Sequence, residues 1–394
     1  MAVEEIVRAM TGHLDAAGKG RLETLLPSPM VQNHAAFLHI QPDGTLLCAW
    51  FGGTLEGKSD ISIHVSRLEP GAGTWSEPVQ VSDDPARSEQ NPVLFSPPGG
   101  GLILVHTAQV SGNQESCLLR LRDLDASGPV PAAGQPRELD LPRGTFVRAP
   151  ILVRDDGAWM MPAFRCLAPE GHRWTGSHDT AAVAVSEDQG GSWALTDVPD
   201  SIGCVHMTLV PLGDGRLAAF FRRRQADFVY RSESRDGGRT WDMPEATDVA
   251  NNNSSIGAIR LSDGRVALLC NPTSAATSAD RRQSLYDELD EDDARQDATG
   301  GCSPIWGVPR APLTLCLSGD GGHTVPERHV VEDSAGTCLS NNSEDGRNQE
   351  LSYPVLLEAP DGALHLAFTY KRRAIKHVRL SPEWLALHGD GASA

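Results

Sequence analysis

The 394-residue chain has no apolar run of about 18 or more residues, so it holds no bilayer-spanning helix. Its first twenty residues, MAVEEIVRAMTGHLDAAGKG, lack the apolar block of a secretion signal. The eight cysteines show neither CxxC nor Cys/His ligand spacing, which removes the common zinc and redox motifs. Several lie in strand-like runs, Cys48 in TLLCAWF and Cys270 in VALLCNP, and read as reduced, buried small hydrophobes. Positive charge is scarce: 34 Lys and Arg stand against 52 Asp and Glu, for a net charge of −18. Nucleic acids and anionic membranes need clustered cations, so neither is expected as a partner. A small anion in a local basic pocket is still allowed. No His/Asp/Glu set has metal-ligand spacing, so no cofactor is expected, with a structural calcium in a central channel as the retained alternative. These absences lead us to expect a soluble, cytoplasmic protein. A secretion signal already removed stays open, as does the oligomeric state.

Glycine (39) and proline (27) are plentiful, which suits many short strands joined by turns. An apolar run, a glycine-centred turn and a second apolar run recur six times: HAAFLHIQPDGTLLCAWF, NPVLFSPPGGGLILVHT, RAPILVRDDGAWMMPAF, HMTLVPLGDGRLAAFF, SSIGAIRLSDGRVALLC and YPVLLEAPDGALHLAFTY. Asp-Gly between alternating apolar runs is a strong hairpin signal. The first strands begin near residues 34, 91, 148, 206, 255 and 353, with one long last step. A second repeat, S-x-D-x-G-x-[ST]-W, interleaves at 186–193, 234–241 and 318–325, with Val325 replacing the tryptophan in the last copy. In these Asp-boxes the aspartate accepts turn amides and the aromatic packs between sheets.

Repeated four-stranded units of about 50 residues indicate an all-β chain folded as a β-propeller. Six blades are counted, and the long last step leaves space for a seventh. RLETLLP (21–27) supplies the outer strand of the last blade and closes the ring. One domain, 1–394, is expected, with residues 1–20 as a helix or extension. An acidic insertion at 276–308 falls on the active-site face, as a solvated helix or loop or else as a lid.

Antiparallel geometry sets which residues meet. The starts of first strands and the ends of second strands share one face, and the Asp-boxes lie on the other as scaffold. The first-strand openings place His34, Asn91, Arg148, His206, Ser255 and Tyr353 around a central funnel. Second-strand ends add Arg222, Arg223, Arg224 and Asn271, and Arg310 opens a third strand on the same face. Gln90, Asn33 and Asn253 flank these positions. Only one or two of the three consecutive arginines can face the funnel, which leaves the others solvated. Arginine forks bind carboxylates bidentately, and histidine and tyrosine move protons. A lone histidine at a strand start is more often a structural hydrogen-bonder. Two of them in a ring with tyrosine and arginine favour catalysis. We therefore take His34, His206 and Tyr353 as candidate catalytic groups. Arg148, Arg222, Arg310, Asn91, Gln90, Asn33 and Asn253 are the candidate substrate ligands.

The Asp-boxes and six hairpins resemble the sialidase superfamily of propellers over nearly the whole chain. That resemblance implies three carboxylate-binding arginines and a tyrosine nucleophile paired with a glutamate. RAPLTLCLS matches the third arginine through Arg310, and ELSYPVL matches the tyrosine strand through Tyr353. His34 stands where the first arginine belongs, Asn271 or a neighbour stands at the second, and NNNSSIG holds no acid at the glutamate position. The segments QNHAAF, AWFGGTLEG, RSEQNPVLF, GCVHM, NNNSSI and NNSEDGRNQELSYP are more similar to propellers acting on rhamnose-capped glucuronate of arabinogalactan and gum arabic. This resemblance implies L-rhamnose-α-1,4-D-glucuronate lyase activity on a uronate-containing oligosaccharide. An exo-sialidase-like or α-L-rhamnosidase hydrolase is the alternative, and a non-catalytic glycan-binding propeller is a third reading.

Overall fold

The computed structural model describes residues 3–281, 294–334, 336–338 and 349–388. The strands form six small antiparallel sheets, each paired in sequence order from an inner to an outer strand. Blade one runs Gln32–Ile40, Leu46–Gly53, Ser62–Leu68 and Val79–Gln80. Blade two runs Ser88–Phe95, Ile103–Gln109 and Leu118–Asp125, edged by Ala132–Ala133 and Arg137–Glu138. In blade three the inner strand is broken into Thr145–Val147 and Leu152–Val153, followed by Trp159–Arg165, Thr180–Ser186 and Ala194–Asp197. Blade four is Cys204–Gly213, Arg216–Arg223, Phe228–Ser234 and Glu245–Ala250. Blade five is Gly257–Arg260, Val266–Cys270, Leu313–Ser318 and Glu327–Glu332. Blade six is Leu351–Glu358, Leu364–Tyr370 and Ala374–Leu380, and its fourth strand is Arg21–Leu25 from the start of the chain. That strand lies antiparallel to the third, with Arg21 opposite Leu380 and Leu25 opposite Lys376, so the ring closes as a six-bladed propeller. The seventh blade left open by the sequence is not formed among the described residues.

The apolar runs are buried nearly throughout because each blade is covered on both faces by its neighbours. All eight residues of Leu46–Gly53 are buried, as are all eight of Ser88–Phe95. One core cluster joins Phe37 and Phe51 of blade one, Val93 and Leu104 of blade two and Met161 of blade three. The eight cysteines are free, and all but the half-buried Cys302 are buried. The helix Val3–Ala9 precedes the closing strand and buries Ile6.

The Asp-boxes join third and fourth strands in blades three, four and five. In blade four, Asp236 accepts the amides of Arg239 (3.0 Å) and Thr240 (2.9 Å), and the hydroxyls of Ser234 (2.8 Å) and Thr240 (2.6 Å). Gly238 has φ +84°, and a side chain there would strike Met160 of blade three. Trp241 packs in the same cluster as Met160, so the box fastens two blades together.

Four inner strands carry a β-bulge at the same place, where the register to the second strand slips between His34 and Phe37, Gln90 and Val93, Val205 and Thr208, and Ser352 and Val355. The first extra residue of each bulge has positive φ: Ala35 (57°), Asn91 (50°), His206 (49°) and Tyr353 (51°). Left-handed backbone is uncommon outside glycine and concentrates at functional positions. The equivalent of His206 and Tyr353 in blade one is therefore Ala35. His34 lies one residue earlier, so the two histidines, both placed at first-strand openings, do not occupy equivalent positions.

Within the 276–308 insertion, residues 282–293 lie outside the described residues, and the choice between surface helix, loop and lid falls there. The part that follows lays Gln296–Asp297 parallel to His172–Arg173, in the loop between the second and third strands of blade three.

Candidate functional site around Tyr353

Tyr353 lies in the bulge of blade six, and its ring is surrounded by three guanidinium groups. Their carbons lie 5.7 Å (Arg148), 5.8 Å (Arg222) and 5.6 Å (Arg310) from the ring centroid. These come from the broken strand of blade three, the second strand of blade four and the start of the third strand of blade five. Two imidazoles complete the surround, His34 at 4.1 Å and His206 at 5.3 Å between ring centroids. All six side chains are buried. The sequence-predicted set His34, His206, Tyr353, Arg148, Arg222 and Arg310 thus converges on one place.

Arg222 donates through Nη1 to the Tyr353 phenol oxygen at 2.8 Å, and His206 Nε2 lies 3.4 Å from the same Nη1. Its Nε donates to Asn253 Oδ1 at 2.7 Å. Arg148 donates to the backbone carbonyls of Ala36 (2.8 Å) and Tyr353 (3.0 Å), so it ties three blades together at the bulges. Burial without a carboxylate partner lowers both cations, Arg148 and Arg222, to about 10, so both stay charged at neutral pH. Arg222 Nη2 and Arg148 Nε have no hydrogen-bond partner among the described residues.

Arg310 has a different partner. Its Nη1 donates to Glu350 Oε1 at 2.9 Å, and that oxygen also accepts from Arg372 Nε (2.8 Å) and the Ser352 hydroxyl (2.6 Å). Arg372 bridges onward to Glu56. Burial alone would raise the Glu350 carboxyl, but Arg372 and Arg310 overcome it and hold it well below the usual carboxylate range. Glu350 is thus an ionised structural counter-charge.

Both histidines are held neutral. Burial, then Arg372, lowers His34 well below its ordinary value, with Glu350 opposing. Burial, then Arg222, Arg224, Arg148 and Arg310, does the same to His206. His34 Nδ1 lies 2.7 Å from the Thr369 hydroxyl and 3.9 Å from Glu350 Oε1. His34 Nε2 and His206 Nδ1 have no partner among the described residues.

The remaining candidates bond within the protein. Asn33 is fully buried: its Oδ1 accepts from Ser28 and Trp50, and its Nδ2 donates to the Met30 and Arg373 carbonyls. Gln90 donates to Ser88, and Asn91 reaches Thr107 at 3.4 Å. Asn253 holds Arg222. Asn271 donates to the carbonyls of Arg310, Pro312 and Leu351, which fastens blade five to blade six. Arg223 and Arg224 are not solvated as expected. Arg223 covers the Tyr230 ring at 3.8 Å, and Arg224 forks onto buried Asp179 at 2.8 and 2.6 Å. Glu56 and Asp179 were not singled out in the sequence. Both lie in loops between second and third strands, so the rule that selected the funnel face also covers them. No group of three or more His, Cys, Asp or Glu side chains able to hold a metal occurs among the described residues.

Six antiparallel blades around a buried cluster of arginines and Tyr353 define a β-propeller with a cationic centre. The model of the BNR repeat-like domain matches residues 44–366, and the chain belongs to this family. No functionally curated protein matches the sequence. Among solved structures the chain is similar to a Hadza microbial sialidase, with 13% identity and a TM-score of 0.65. That match covers 89% of this chain and 66% of the sialidase, so the chain spans just under two thirds of its length. A leech intramolecular trans-sialidase in complex with 2,7-anhydro-Neu5Ac is similar at 13% identity and TM-score 0.64, over 92% of this chain and 69% of the other. A protein of unknown function from Dyadobacter fermentans matches at 13% identity and TM-score 0.63, over 92% and 100%. At these identities the likeness is one of fold.

Proposed function

We propose that the chain is a carbohydrate-active enzyme that cleaves a terminal glycosidic bond of a carboxylated sugar at Tyr353. The observation that carries this reading is the Tyr353 phenol, buried among three arginines and two neutral imidazoles. Arg148, Arg222 and Arg310 supply the positive field that a sugar carboxylate needs, and the spare guanidinium N–H groups of Arg148 and Arg222 suit its oxygens. A hydroxyl that accepts from Arg222 still has its own proton to donate.

The finer reading is β-elimination on a rhamnose-capped glucuronate. The C5–H of a uronate becomes acidic enough to remove only when its carboxylate charge is offset, which the arginines provide. A neutral imidazole is already in the form of a base. Glu350 behind His34 Nδ1 favours a proton on that atom, which leaves the Nε2 lone pair free to accept from C5. Tyr353 then donates to the departing O4 oxygen. Arg222 beside His206 Nε2 favours a proton on His206 Nδ1, where it serves as a donor to the sugar.

Hydrolysis of a sialoside-like substrate, with Tyr353 as nucleophile, is the second reading. It is favoured by the Tyr353–Arg222–Arg310 grouping and by the fold shared with sialidases. It is weakened by Glu350, whose Oε1 accepts from Arg310, Arg372 and Ser352 rather than from the phenol. Two incubations decide between them. A rhamnosyl-glucuronate oligosaccharide is followed by the absorbance of the unsaturated uronate, and a fluorogenic sialoside is followed by fluorophore release. Rhamnose released without the unsaturated product would sink the elimination. Turnover of neither substrate, nor of any carboxylated glycoside, would sink the enzyme reading.

A further inference from the structure

The segment 294–305, part of the connection between the second and third strands of blade five, runs along blade three and then onto blade four. Ala298 donates to the Arg173 carbonyl (3.0 Å), Cys302 donates to the Ser177 carbonyl (2.8 Å), and Arg173 pairs with Asp297 at 2.6 Å. Arg295 reaches further, to Glu115 of blade two at 2.8 Å. The crossing is tight at Gly301, where φ is +69° and a Cβ would run into the Ser177 carbonyl.

Ile305 is where this strap meets the site. Its amide donates to the Arg224 carbonyl at 2.8 Å, and its carbonyl accepts Asn253 Nδ2 at 2.9 Å. Asn253 has φ +57°, is 1% exposed, and uses its other amide atom to accept Arg222 Nε at 2.7 Å. One side chain therefore has the strap on one side and the arginine that holds Tyr353 on the other. A buried amide with both ends committed transmits position, because releasing either end leaves an unpaired buried polar group.

We propose that Asn253 is a positioning residue, through which docking of the 294–305 strap on blade three sets the Arg222–Tyr353 contact. Its catalytic consequence rests on the proposed use of Tyr353, whereas the positional coupling can be measured without it. Arg222→Lys identifies the Arg222 Nε–H signal in a protein carrying 15N-labelled arginine, and hydrogen exchange then reports its protection. Gly301→Val lifts the strap at a residue that touches none of the funnel groups. Asn253→Asp keeps an acceptor for Arg222 but can no longer donate to Ile305. With Gly301→Val, the expected result is loss of Arg222 Nε–H protection together with new proteolysis in the strap. With Asn253→Asp, the Arg222 signal persists while the strap becomes cleavable. A strap that is cleavable in Gly301→Val beside an Arg222 signal as protected as in wild type overturns the proposal. Should Gly301→Val fail to fold, Asp297→Arg and its charge-swapped double variant Arg173→Asp/Asp297→Arg take its place, with protection lost in the first and restored in the second. If the wild type turns over a carboxylated glycoside, Gly301→Val lowers kcat on the order of 10²-fold with KM little changed, as expected for a misplacement of about 1 Å. If it turns over none, the functional reading fails, and the exchange result still decides the coupling.

Discussion

Arg222 Nη1 and the Tyr353 phenol oxygen are 2.8 Å apart, joined by a hydrogen bond between the second strand of blade four and the inner strand of blade six. The two residues are 131 positions apart in sequence. The bond links a buried cation to a buried phenol, and the predictions about chemistry start from it.

Tyr353→Phe keeps the ring among its three arginines and removes only the hydroxyl. Turnover of the carboxylated glycoside should fall by about 10²–10⁴-fold, the usual contribution of a positioned proton donor. The melting temperature should fall modestly, because the buried Arg222 Nη1 loses its 2.8 Å acceptor. Steady-state kinetics beside thermal unfolding checks both, and a variant with full activity would remove Tyr353 from the chemistry.

Arg222→Lys retains charge and loses the fork, so it cannot serve Tyr353, Asn253 and a substrate carboxylate together. We expect a fall in kcat of about 10²–10³-fold, as for loss of one preorganised donor. Turnover within a few-fold of wild type would show that the fork has no part in the reaction.

Acid should destabilise the protein before its carboxylates are reached. Burial lowers His39 and His365 to about 4 and His106 to about 3, and it lowers His34, His206 and His377 well below the ordinary value. An unfolded histidine takes its proton near pH 6.5, so between that pH and the folded values the unfolded chain binds more protons. Stability is full above about pH 6.5 and declines as the pH falls toward 4 and then 3. The boxed carboxylates Asp188 and Asp236, held down to about 2 by hydrogen bonds to Ser192 and Thr240, add a later loss below about pH 3.8. Urea midpoints between pH 7.5 and 4 test this, and a flat midpoint across that range contradicts it. A base held neutral by burial also puts the acid limb of kcat below pH 6.5.

Asp236→Ala removes four hydrogen bonds from the blade-four Asp-box on the face away from Tyr353. A stability loss of about 1–3 kcal/mol is expected, with kcat per folded molecule unchanged. Denaturant melts and active-site-normalised turnover separate the two. A kcat change without a stability change would assign the box a role beyond scaffold.

The repeat was legible in the sequence because a hairpin is a local object. Asp43-Gly44 makes its own turn, with Gly44 at φ 86° and the Asp43 carboxylate on the Thr45 amide, and the other hairpins follow similar turns. Counting such turns yields six blades, and antiparallel alternation then assigns each strand end to a face. The same reasoning brought His34, His206, Tyr353, Arg148, Arg222 and Arg310 to one funnel. It had no means of seeing the β-bulges, because one extra residue in a strand leaves no mark on its apolar pattern. Those bulges put Ala35, and not His34, at the place equivalent to His206 and Tyr353.

Only the tertiary structure decided which polar groups pair. Glu350 lies three residues from Tyr353 in sequence, yet it faces Arg310 and Arg372. Asn253 appeared as a substrate ligand and is held between Arg222 and Ile305. One or two of Arg222, Arg223 and Arg224 were expected to face inward and the rest to be solvated, yet all three are buried, Arg223 against Tyr230 and Arg224 against Asp179. The strand pattern depends on short-range sterics and apolar spacing, which one segment carries alone. A buried charge takes whichever partner distant segments deliver to it, and that choice exists only once the ring has closed.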